Sequence, residues 1–181
     1  MEKIIKHNED FVAKGAYTAY ATSKYPDRKI AIVTCMDTRL VTMLPAALGI
    51  KNGDVKMIKN AGGLVTDPYG DSMRALLVAI YELGVEHVMI IAHTSCGVEG
   101  MKGDHFVEIM KKRGLTDEKL DSARNSGVDL ESWLSGFTDA EEAVRESVNL
   151  VSGHPLLPDG VKVSGHIIDT QTGKLSSVGS N

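Results

Sequence analysis

The sequence predicts an α/β protein with three layers, in which a central and mostly parallel sheet lies between helices on both faces. Short apolar segments rich in valine and isoleucine alternate with stretches of helical periodicity, and glycine or proline separates them. Strands that alternate with helices in this way form parallel sheets with right-handed crossovers. We expect the strand order 2-1-3-4, with a possible antiparallel fifth strand at the edge.

The first half of the chain contains three predicted strands separated by helices. Apolar residues at helical spacing, among them Ile4 and Phe11, predict an amphipathic N-terminal helix. Asp71 or Ser72 is placed to cap a later helix, and Gly84 follows in the position that ends helices. The predicted elements are, in order, a helix over about 3–15, a strand over 30–35, a helix over 43–49, a strand over 55–59, a helix over 71–83 and a strand over 87–92.

The second half of the chain is more polar and begins with helices. Thr138 and Glu141 form a predicted capping box for a helix that runs to about Val151. A fourth strand is predicted over about 161–168, and a tight turn then lets 174–178 pair back as the edge strand.

The composition is typical of one soluble globular domain. The chain has 181 residues, of which 43% are hydrophobic and 24% are charged. Its net charge of −4 gives no electrostatic reason to expect nucleic acid. No segment reaches the ~18 to 20 continuous apolar residues of a membrane span, and we expect no signal peptide at the N-terminus, because no uninterrupted apolar stretch follows the first charges. We expect a cytoplasmic protein with a single domain over 1–181, an N-terminal arm helix over about 1–16 and a helical insertion over about 98–153.

Both cysteines of the chain stand beside other metal-binding side chains, each at the end of a predicted strand. Cys35 closes the first strand, and His93 and Cys96 follow the third. Open parallel sheets place their sites beyond the carboxyl ends of the strands, where the winding direction reverses, and we expect that point between these two strands. Two thiolates and one imidazole would then hold one ion and leave a coordination position open, as in a catalytic zinc site.

Asp37 and Arg39 add groups that can handle a proton. Two thiolates neutralise Zn²⁺, so the ion acidifies its bound water less than one held by three histidines. Asp37 could accept the proton of that water, and Arg39 could keep the carboxylate ionised through a two-pronged hydrogen bond. Asp37 could instead swing onto the ion. We also expect backbone amides after Cys96, where a loop through Gly97 enters a helix, to lower the pKa of its thiol.

Each of these residues also has a plain structural interpretation. A cysteine after a strand is usually a small buried apolar residue, and an Asp-x-Arg pair is usually a surface ion pair. Their coincidence at equivalent strand ends favours the metal site. A structural zinc needs a fourth protein ligand. The histidines with no spacing that would supply one are His87, His105, His154 and His166.

The combination of Cys35-x-Asp37-x-Arg39 with His93-x-x-Cys96-Gly97 resembles the two-part ligand motif of the β-class carbonic anhydrases. The resemblance covers most of the chain and is strongest to compact, bacterial-type members. Supporting similarities occur at Asn8, Phe11, Pro45, Asn60-Ala61-Gly62, Ser72, Gly165, Asp169 and Thr172-Gly173.

This resemblance implies one Zn²⁺ per chain on Cys35, His93 and Cys96, with Asp37 as a further ligand in a closed, inactive state. It implies that Asp37 and Arg39 form the catalytic dyad, which orients a zinc-bound hydroxide for attack on CO₂. The implied reaction is the reversible hydration of CO₂ to bicarbonate and a proton. The resemblance also implies a homodimer or homotetramer, in which the N-terminal helix could embrace a neighbouring subunit.

The sequence leaves two other functions open. The same zinc site could hydrolyse CS₂ or COS, because the difference between these substrates lies in the access channel. Alternatively, a non-catalytic, zinc-stabilised protein could bind bicarbonate or a partner, with Asp37 closed onto the metal. The polar stretch 101–136 could cap the pocket, contact a partner or form surface helices. We expect Trp133 in a satellite apolar cluster with Leu130, or in an oligomer contact, rather than stacked on substrate.

Overall fold

A computed structural model describes residues 1–179 of the chain; Ser180 and Asn181, the last residues of the domain predicted over 1–181, lie outside the described residues. The predicted elements occur, with ends that differ from the predictions by a few residues. The strands are β1 (Ile30–Cys35), β2 (Val55–Asn60), β3 (His87–His93), β4 (Lys162–Ile168) and β5 (Leu175–Val178). The helices are α1 (Glu2–Ala13), α2 (Leu40–Ala47), α3 (Asp71–Tyr81), α4 (Gly103–Lys112), α5 (Asp117–Asn125), α6 (Leu130–Leu134) and α7 (Ala140–Ser152), and a 3₁₀ helix covers Ala16–Tyr20.

The strands form one sheet in the order β2-β1-β3-β4-β5. The first four strands are parallel to one another, and β5 is antiparallel to β4. The predicted fold class, the strand order and the antiparallel edge strand are therefore confirmed.

The winding of the chain reverses between β1 and β3. The connection through α2 packs on one face of the sheet and leads to β2, whereas α3 packs on the opposite face and leads back to β3. The register pairs Thr34 with Ile91, so both strands end at the same edge of the sheet. This edge is the topological switch point, where open α/β sheets place their sites.

Helices cover both faces of the two central strands. Leu40 and Leu44 of α2 pack with Ile32 in one apolar cluster. On the opposite face, α3 and α7 contribute to a second cluster that includes Val33 and Ile90. Because both faces are covered, β1 and β3 consist of nearly continuous apolar residues instead of alternating ones. Full burial of each large aliphatic side chain stabilises the fold by roughly 1.5–3 kcal/mol.

The capping box predicted for α7 is wrong by one residue. The N-cap is Asp139, whose Oδ1 accepts a hydrogen bond from the Glu142 amide at 2.8 Å. Thr138 and Glu141 share the three-residue spacing of Asp139 and Glu142, so the spacing alone does not separate the two pairs. An aspartate also places a negative charge at the positive end of the helix dipole.

The cap predicted for α3 is also wrong. The N-cap is Gly70, and no side chain among residues 1–179 caps this helix. Asp71 lies in the first turn, and Ser72 Oγ accepts a hydrogen bond from Asn60 Nδ2 at 2.9 Å. Ser72 therefore ties α3 to the end of β2 instead of capping its own helix.

Asn60 also shapes the loop that follows β2. Its Oδ1 accepts hydrogen bonds from the amides of Gly63 at 2.8 Å and Leu64 at 3.2 Å. Gly63 has a φ of 73°, and a Cβ at this position would lie 2.5 Å from the backbone nitrogen of Cys35. Glycine therefore allows the loop to pack directly against the end of β1, beside the first predicted metal ligand.

The region between β3 and α7 forms a small helical subassembly beside the sheet. Two backbone hydrogen bonds fasten its ends to each other: the Gly100 amide donates to the Phe137 carbonyl and the Gly136 amide donates to the Met101 carbonyl, both at 2.8 Å. These bonds hold the end of the insertion against the loop that follows β3. The apolar cluster of the subassembly is centred on Val107, Leu120 and Leu130.

The N-terminal helix α1 stands apart from the core. It has no buried residue, and its apolar side chains Ile4, Ile5 and Val12 are 71%, 54% and 56% exposed. The ring of Phe11 contacts Tyr20 in the 3₁₀ helix, with ring centroids 5.9 Å apart. Across the described part of the chain, no helix is both long enough and apolar enough to cross a membrane.

We predict that Gly63→Ala strongly destabilises the fold. The left-handed backbone costs alanine about 1–2 kcal/mol. Because the nearest obstacle is backbone rather than a flexible side chain, relief of the clash should cost roughly 1–3 kcal/mol more. Urea unfolding of wild type and variant gives the difference in the free energy of unfolding.

Gly84→Ala is the matched control. Gly84 has a similar φ of 71°, but a Cβ there would meet nothing within 4 Å. The free energy of unfolding of this variant should fall only by the cost of the left-handed backbone, about 1–2 kcal/mol. Equal losses in the two variants would contradict the close approach of the Gly63 loop to β1.

Candidate metal centre

Two sulfur atoms and one nitrogen atom meet beyond the carboxyl ends of β1 and β3. Cys35, His93 and Cys96 each offer one ligand atom, and these atoms lie within 4.8 Å of one another. The three residues are buried, with exposed fractions of 4%, 0% and 6% respectively. Within residues 1–179, no other group of three or more His, Cys, Asp or Glu side chains has this geometry. The structure therefore brings together the three residues that the sequence predicted as ligands.

The protonation of His93 follows from its hydrogen bond. Its Nδ1 lies 3.0 Å from the Thr94 carbonyl, which can only accept, so Nδ1 carries the proton and Nε2 keeps a free lone pair. Nε2 is buried and has no hydrogen-bond partner among the described residues. A buried polar atom without a partner costs about 1–3 kcal/mol. A metal ion bound to Nε2 would remove this cost.

The two thiols are close but do not form a disulfide. Their sulfur atoms are 3.9 Å apart, far more than the ~2.05 Å of an S–S bond. Burial raises the pKa of Cys96, and the neighbouring Cys35 adds to this effect, whereas the amides of Val98 and Glu99 oppose it. The predicted effect of the backbone amides is therefore present, but burial outweighs it, and the net shift of the Cys96 pKa is upward. A turn follows Cys96, and the next helix begins only at Gly103.

The donor set fits Zn²⁺ or a chemically similar divalent ion. Two thiolate sulfurs and one imidazole nitrogen are typical zinc ligands, and three protein ligands leave a fourth position for water or substrate. A cation between the sulfur atoms would also favour both thiolates, because it reverses the electrostatic cost of their proximity.

Asp37 faces this centre but is held by Arg39. Arg39 Nε donates to Asp37 Oδ1 at 3.0 Å, Nη2 donates to Oδ2 at 2.8 Å, and the Arg39 amide donates to Oδ1 at 2.8 Å. These hydrogen bonds hold the pKa of Asp37 well below its usual range, so the carboxylate is ionised. Asp37 Oδ2 is 3.9 Å from His93 Nε2. Asp37 thus lies beside the ligand group without joining it, and its role as a metal ligand stays a prediction.

The loop between the second and third ligands anchors Arg39. Arg39 Nη2 donates a hydrogen bond to the Ser95 carbonyl at 2.8 Å. Ser95 has a φ of 55°, a left-handed conformation that costs a residue other than glycine about 1–2 kcal/mol. Sequence reasoning missed this contact, although the two-residue gap between His93 and Cys96 indicates a tight turn.

A cavity of about 1020 Å³ opens beside Cys35, Asp37 and Cys96. Its volume is at the upper end of the roughly 300–1,000 Å³ that is usual for small-molecule sites. Glu146 of α7 adds a second carboxylate to a wall that is otherwise mainly apolar. The helical insertion contributes Met101, Phe106, Trp133, Leu134 and Phe137.

The cavity clarifies the role of the polar stretch 101–136. Two of the alternatives agree with the structure: α4, α5 and α6 are largely exposed surface helices, and several apolar side chains of the stretch line the cavity. Trp133 is 72% exposed and lines the cavity instead of joining the apolar cluster around Leu130, where we expected it. Its alternative role in an oligomer contact stays a prediction. The sequence offered the stretch as a possible cap, but it did not identify the individual wall residues, because many of them are far apart in the chain.

Comparison of the sequence with known proteins agrees with this geometry. The profile of the carbonic anhydrase family matches residues 30–175. YvdA of Bacillus subtilis (strain 168), whose name assigns it provisionally to the carbonic anhydrases, is 48% identical over 178 residues, which are 98% of this chain and 90% of YvdA. The carbon disulfide hydrolase of Acidithiobacillus thiooxidans is 32% identical over 158 residues, which are 82% of this chain and 76% of that protein.

The fold agrees with solved structures as well. The crystal structure of β-carbonic anhydrase isoform I from Trichomonas vaginalis superposes with a TM-score of 0.85 at 33% sequence identity. The match covers 98% of this chain and 96% of that chain. It therefore includes the insertion that forms the cavity wall as well as the sheet.

We predict that the purified protein binds about one Zn²⁺ per chain and that Cys35→Ser does not. Serine preserves the size of the side chain but replaces a soft thiolate with a hydroxyl that stays protonated, so the ion loses a ligand. Asp37→Asn is the matched comparison, because Asp37 is bonded to Arg39 and lies outside the ligand group. This variant should retain its zinc. Elemental analysis after dialysis against a chelator checks all three proteins, and a zinc-free wild type would contradict the metal centre.

Proposed function

The chain belongs to the β-carbonic anhydrase family, and on this premise we propose that it is a zinc enzyme for the reversible hydration of CO₂ to bicarbonate and a proton. The convergence of Cys35, His93 and Cys96 beside an open apolar cavity carries the proposal. A structural zinc site would be closed by a fourth protein ligand, which the described residues do not supply. The open position favours a catalytic site.

The three buried side chains would hold one Zn²⁺ through Cys35 Sγ, His93 Nε2 and Cys96 Sγ. Zn²⁺ held there supplies a Lewis acid that makes hydroxide available near neutral pH. The bond from His93 Nδ1 to the Thr94 carbonyl fixes the orientation of the ring, so that Nε2 stays aimed at the ligand group. Two thiolates and one divalent cation make the centre nominally neutral, which increases the importance of nearby groups that handle protons.

Asp37 is the group that orients the nucleophile. An ionised carboxylate can only accept hydrogen bonds, so an attacking oxygen must direct its proton toward Asp37 and a lone pair away from it, toward CO₂. Arg39 keeps the carboxylate ionised and fixed through two parallel hydrogen bonds. Because the orientation exists before CO₂ arrives, its entropic cost is not part of the reaction barrier.

The apolar cavity suits both the substrate and the product. CO₂ is uncharged and has no dipole, so side chains such as Val98, Phe106 and Phe137 bind it without removing strong hydration. Bicarbonate is an anion that an apolar wall binds poorly, which favours its release. The walls therefore retain neither molecule strongly, which allows rapid exchange between cavity and solvent.

Hydrolysis of CS₂ or COS is the second candidate function. The similarity to a protein named carbon disulfide hydrolase favours it, as does a cavity much larger than a three-atom substrate requires. These molecules are linear and electrophilic at carbon, as CO₂ is, so the same ligands and the same Asp37–Arg39 pair would serve. The sequence identity to YvdA is 48%, compared with 32% to the carbon disulfide hydrolase, so we take CO₂ hydration as the first candidate.

We predict that the zinc-loaded protein hydrates CO₂ and that Asp37→Ala slows kcat by about 10²-fold or more, as is usual when a proton-transfer group is lost. The variant should keep its zinc, because the three ligands are unchanged. Stopped-flow hydration with a pH indicator measures the rate, and zinc is measured on the same sample.

Asp159→Ala is the control for removal of a carboxylate, because Asp159 lies in an exposed turn away from the cavity. Its kcat for CO₂ hydration and its zinc content should match those of wild type. A parallel assay for sulfide release distinguishes the two candidate functions. Sulfide release from CS₂ without CO₂ turnover would replace the first candidate with the second. Full zinc occupancy without either reaction would support a binding role instead.

We also propose that the protein is a homodimer in which α1 packs against the second copy. A helix of twelve residues is only marginally stable alone in water, and most helices are stabilised by packing of an apolar face. Within residues 1–179, the apolar side chains of α1 remain largely exposed. A second copy would cover them, and the commonest arrangement of identical subunits is a twofold dimer.

We predict that Ile4→Glu with Ile5→Glu converts the dimer to a monomer, because burial of two carboxylates in an apolar contact is costly. Light scattering after gel filtration should give twice the 19.5 kDa chain mass for wild type and one chain mass for the variant. Val128→Glu is the control, since Val128 is a comparably exposed apolar residue outside α1. A monomeric wild type would exclude the dimer, and four chain masses would indicate a homotetramer.

A further inference from the structure

Arg39 has a second support, which comes from the turn between β4 and β5. Arg39 Nη1 donates a hydrogen bond to Thr170 Oγ1 at 3.4 Å. Thr170 is bonded in turn to Thr94, since its amide donates to Thr94 Oγ1 at 3.0 Å and the two hydroxyl oxygens are 3.2 Å apart. Thr94 adjoins His93 and supplies the carbonyl that orients its ring. Thr170 therefore connects the arginine of the dyad to the residue that supports a ligand.

The hydrogen bonds around Thr170 form a consistent set. Thr94 Oγ1 accepts from the Thr170 amide and can donate its own proton to Thr170 Oγ1. Thr170 Oγ1 then accepts from Thr94 and from Arg39 and donates to the Thr94 carbonyl at 3.4 Å. One donor and two acceptor positions are what a hydroxyl provides. The Thr94 carbonyl accepts from both His93 and Thr170, which uses its two lone pairs.

The turn that carries Thr170 is held firmly by Asp169. Asp169 Oδ1 accepts hydrogen bonds from the amides of Gln171 at 2.9 Å and Thr172 at 2.7 Å, and from the Thr172 hydroxyl at 2.9 Å. The Asp169 amide donates to the Lys174 carbonyl at 2.9 Å. These hydrogen bonds fix the conformation of the turn that carries Thr170.

We propose that Thr170 is a positioning residue that keeps Asp37 bonded to Arg39 and away from the metal position. The guanidinium is held on one side by the Ser95 carbonyl at Nη2 and on the other by Thr170 at Nη1. Without the Thr170 hydroxyl, the guanidinium can rotate about its contact with Ser95, and its hydrogen bonds to Asp37 weaken. Asp37 Oδ2 is 3.9 Å from His93 Nε2, close enough that a small rotation would bring it onto an ion bound there.

The kinetic consequence rests on the proposed function. In Thr170→Val, which keeps the shape but removes the hydroxyl, Asp37 would occupy the open metal position for part of the time. We expect kcat to fall about two- to fivefold, because the hydrogen bond that is lost is long, while KM stays within about twofold. Azide, which competes for the same position, should bind more weakly by a similar factor. Thr170→Ser keeps the hydroxyl, so its kcat and its affinity for azide should match those of wild type.

A second measurement does not depend on catalysis or on metal. In the metal-free protein, the Nε–H of Arg39 donates to Asp37, and its exchange with solvent can be followed by ¹⁵N NMR. Thr170→Val should speed this exchange, and Thr170→Ser should not. Thr94→Val removes the hydroxyl that accepts a hydrogen bond from the Thr170 amide, and this variant should also speed the exchange of the Arg39 Nε–H. Chemical denaturation of each variant shows whether any change merely reflects a less stable fold.

The outcomes separate this proposal from the proposed function. If Thr170→Val matches wild type in Arg39 exchange, kcat and azide affinity, or if Thr170→Ser is as impaired as Thr170→Val, Thr170 does not position the dyad. If wild type hydrates no CO₂ but Arg39 exchange still depends on the Thr170 hydroxyl, the proposed function fails and the positioning role is retained.

Discussion

β1 and β3 lie side by side in parallel register, with Thr34 opposite Ile91, and each strand ends in a metal-binding side chain. The backbone hydrogen bonds between them fix the distance from Cys35 to His93 before any ion is present. Cys96 reaches the same point because the two intervening residues make a tight turn that includes a left-handed Ser95. The rest of the structure either holds these two strand ends in place or controls access to them.

The centre is costly to the fold when it holds no metal. It combines a buried nitrogen without a partner, two close thiols and a strained serine, and each of these opposes folding. The covered faces of the sheet supply the stability that offsets these costs, since the apolar clusters on both sides converge on β1 and β3. Binding of a metal would relieve two of the three costs, so the stability of the fold and the occupancy of the site should be linked.

The sequence contained enough information for the sheet and for the ligands, because both depend on local patterns. Apolar runs located the strands, and the reversal of winding followed from their order. The pairing of Asp37 with Arg39 also follows from proximity in the chain, since a single residue separates them. Capping was less predictable, because Asp139 and Thr138 offer similar side chains and only the backbone decides between them. For the cavity wall, the sequence offered only the possibility that 101–136 caps the pocket; the individual residues could not be predicted, as the wall joins residues as distant as Met36 and Leu150.

Substrate choice belongs to the part of the structure that the sequence did not reveal. CO₂ and CS₂ are both linear molecules with an electrophilic carbon, so the proposed metal ligands and the proposed role of the Asp37–Arg39 pair would suit either of them. Relatives with names for both reactions align with most of this chain, which is consistent with a shared centre. The insertion between β3 and α7 supplies part of the cavity wall, including Phe106 and Trp133. Because the insertion has its own apolar cluster and is joined at its base by backbone hydrogen bonds, its side chains can change without disturbing the ligands. Divergence in substrate is therefore expected in this wall, while the strand ends keep the chemistry constant.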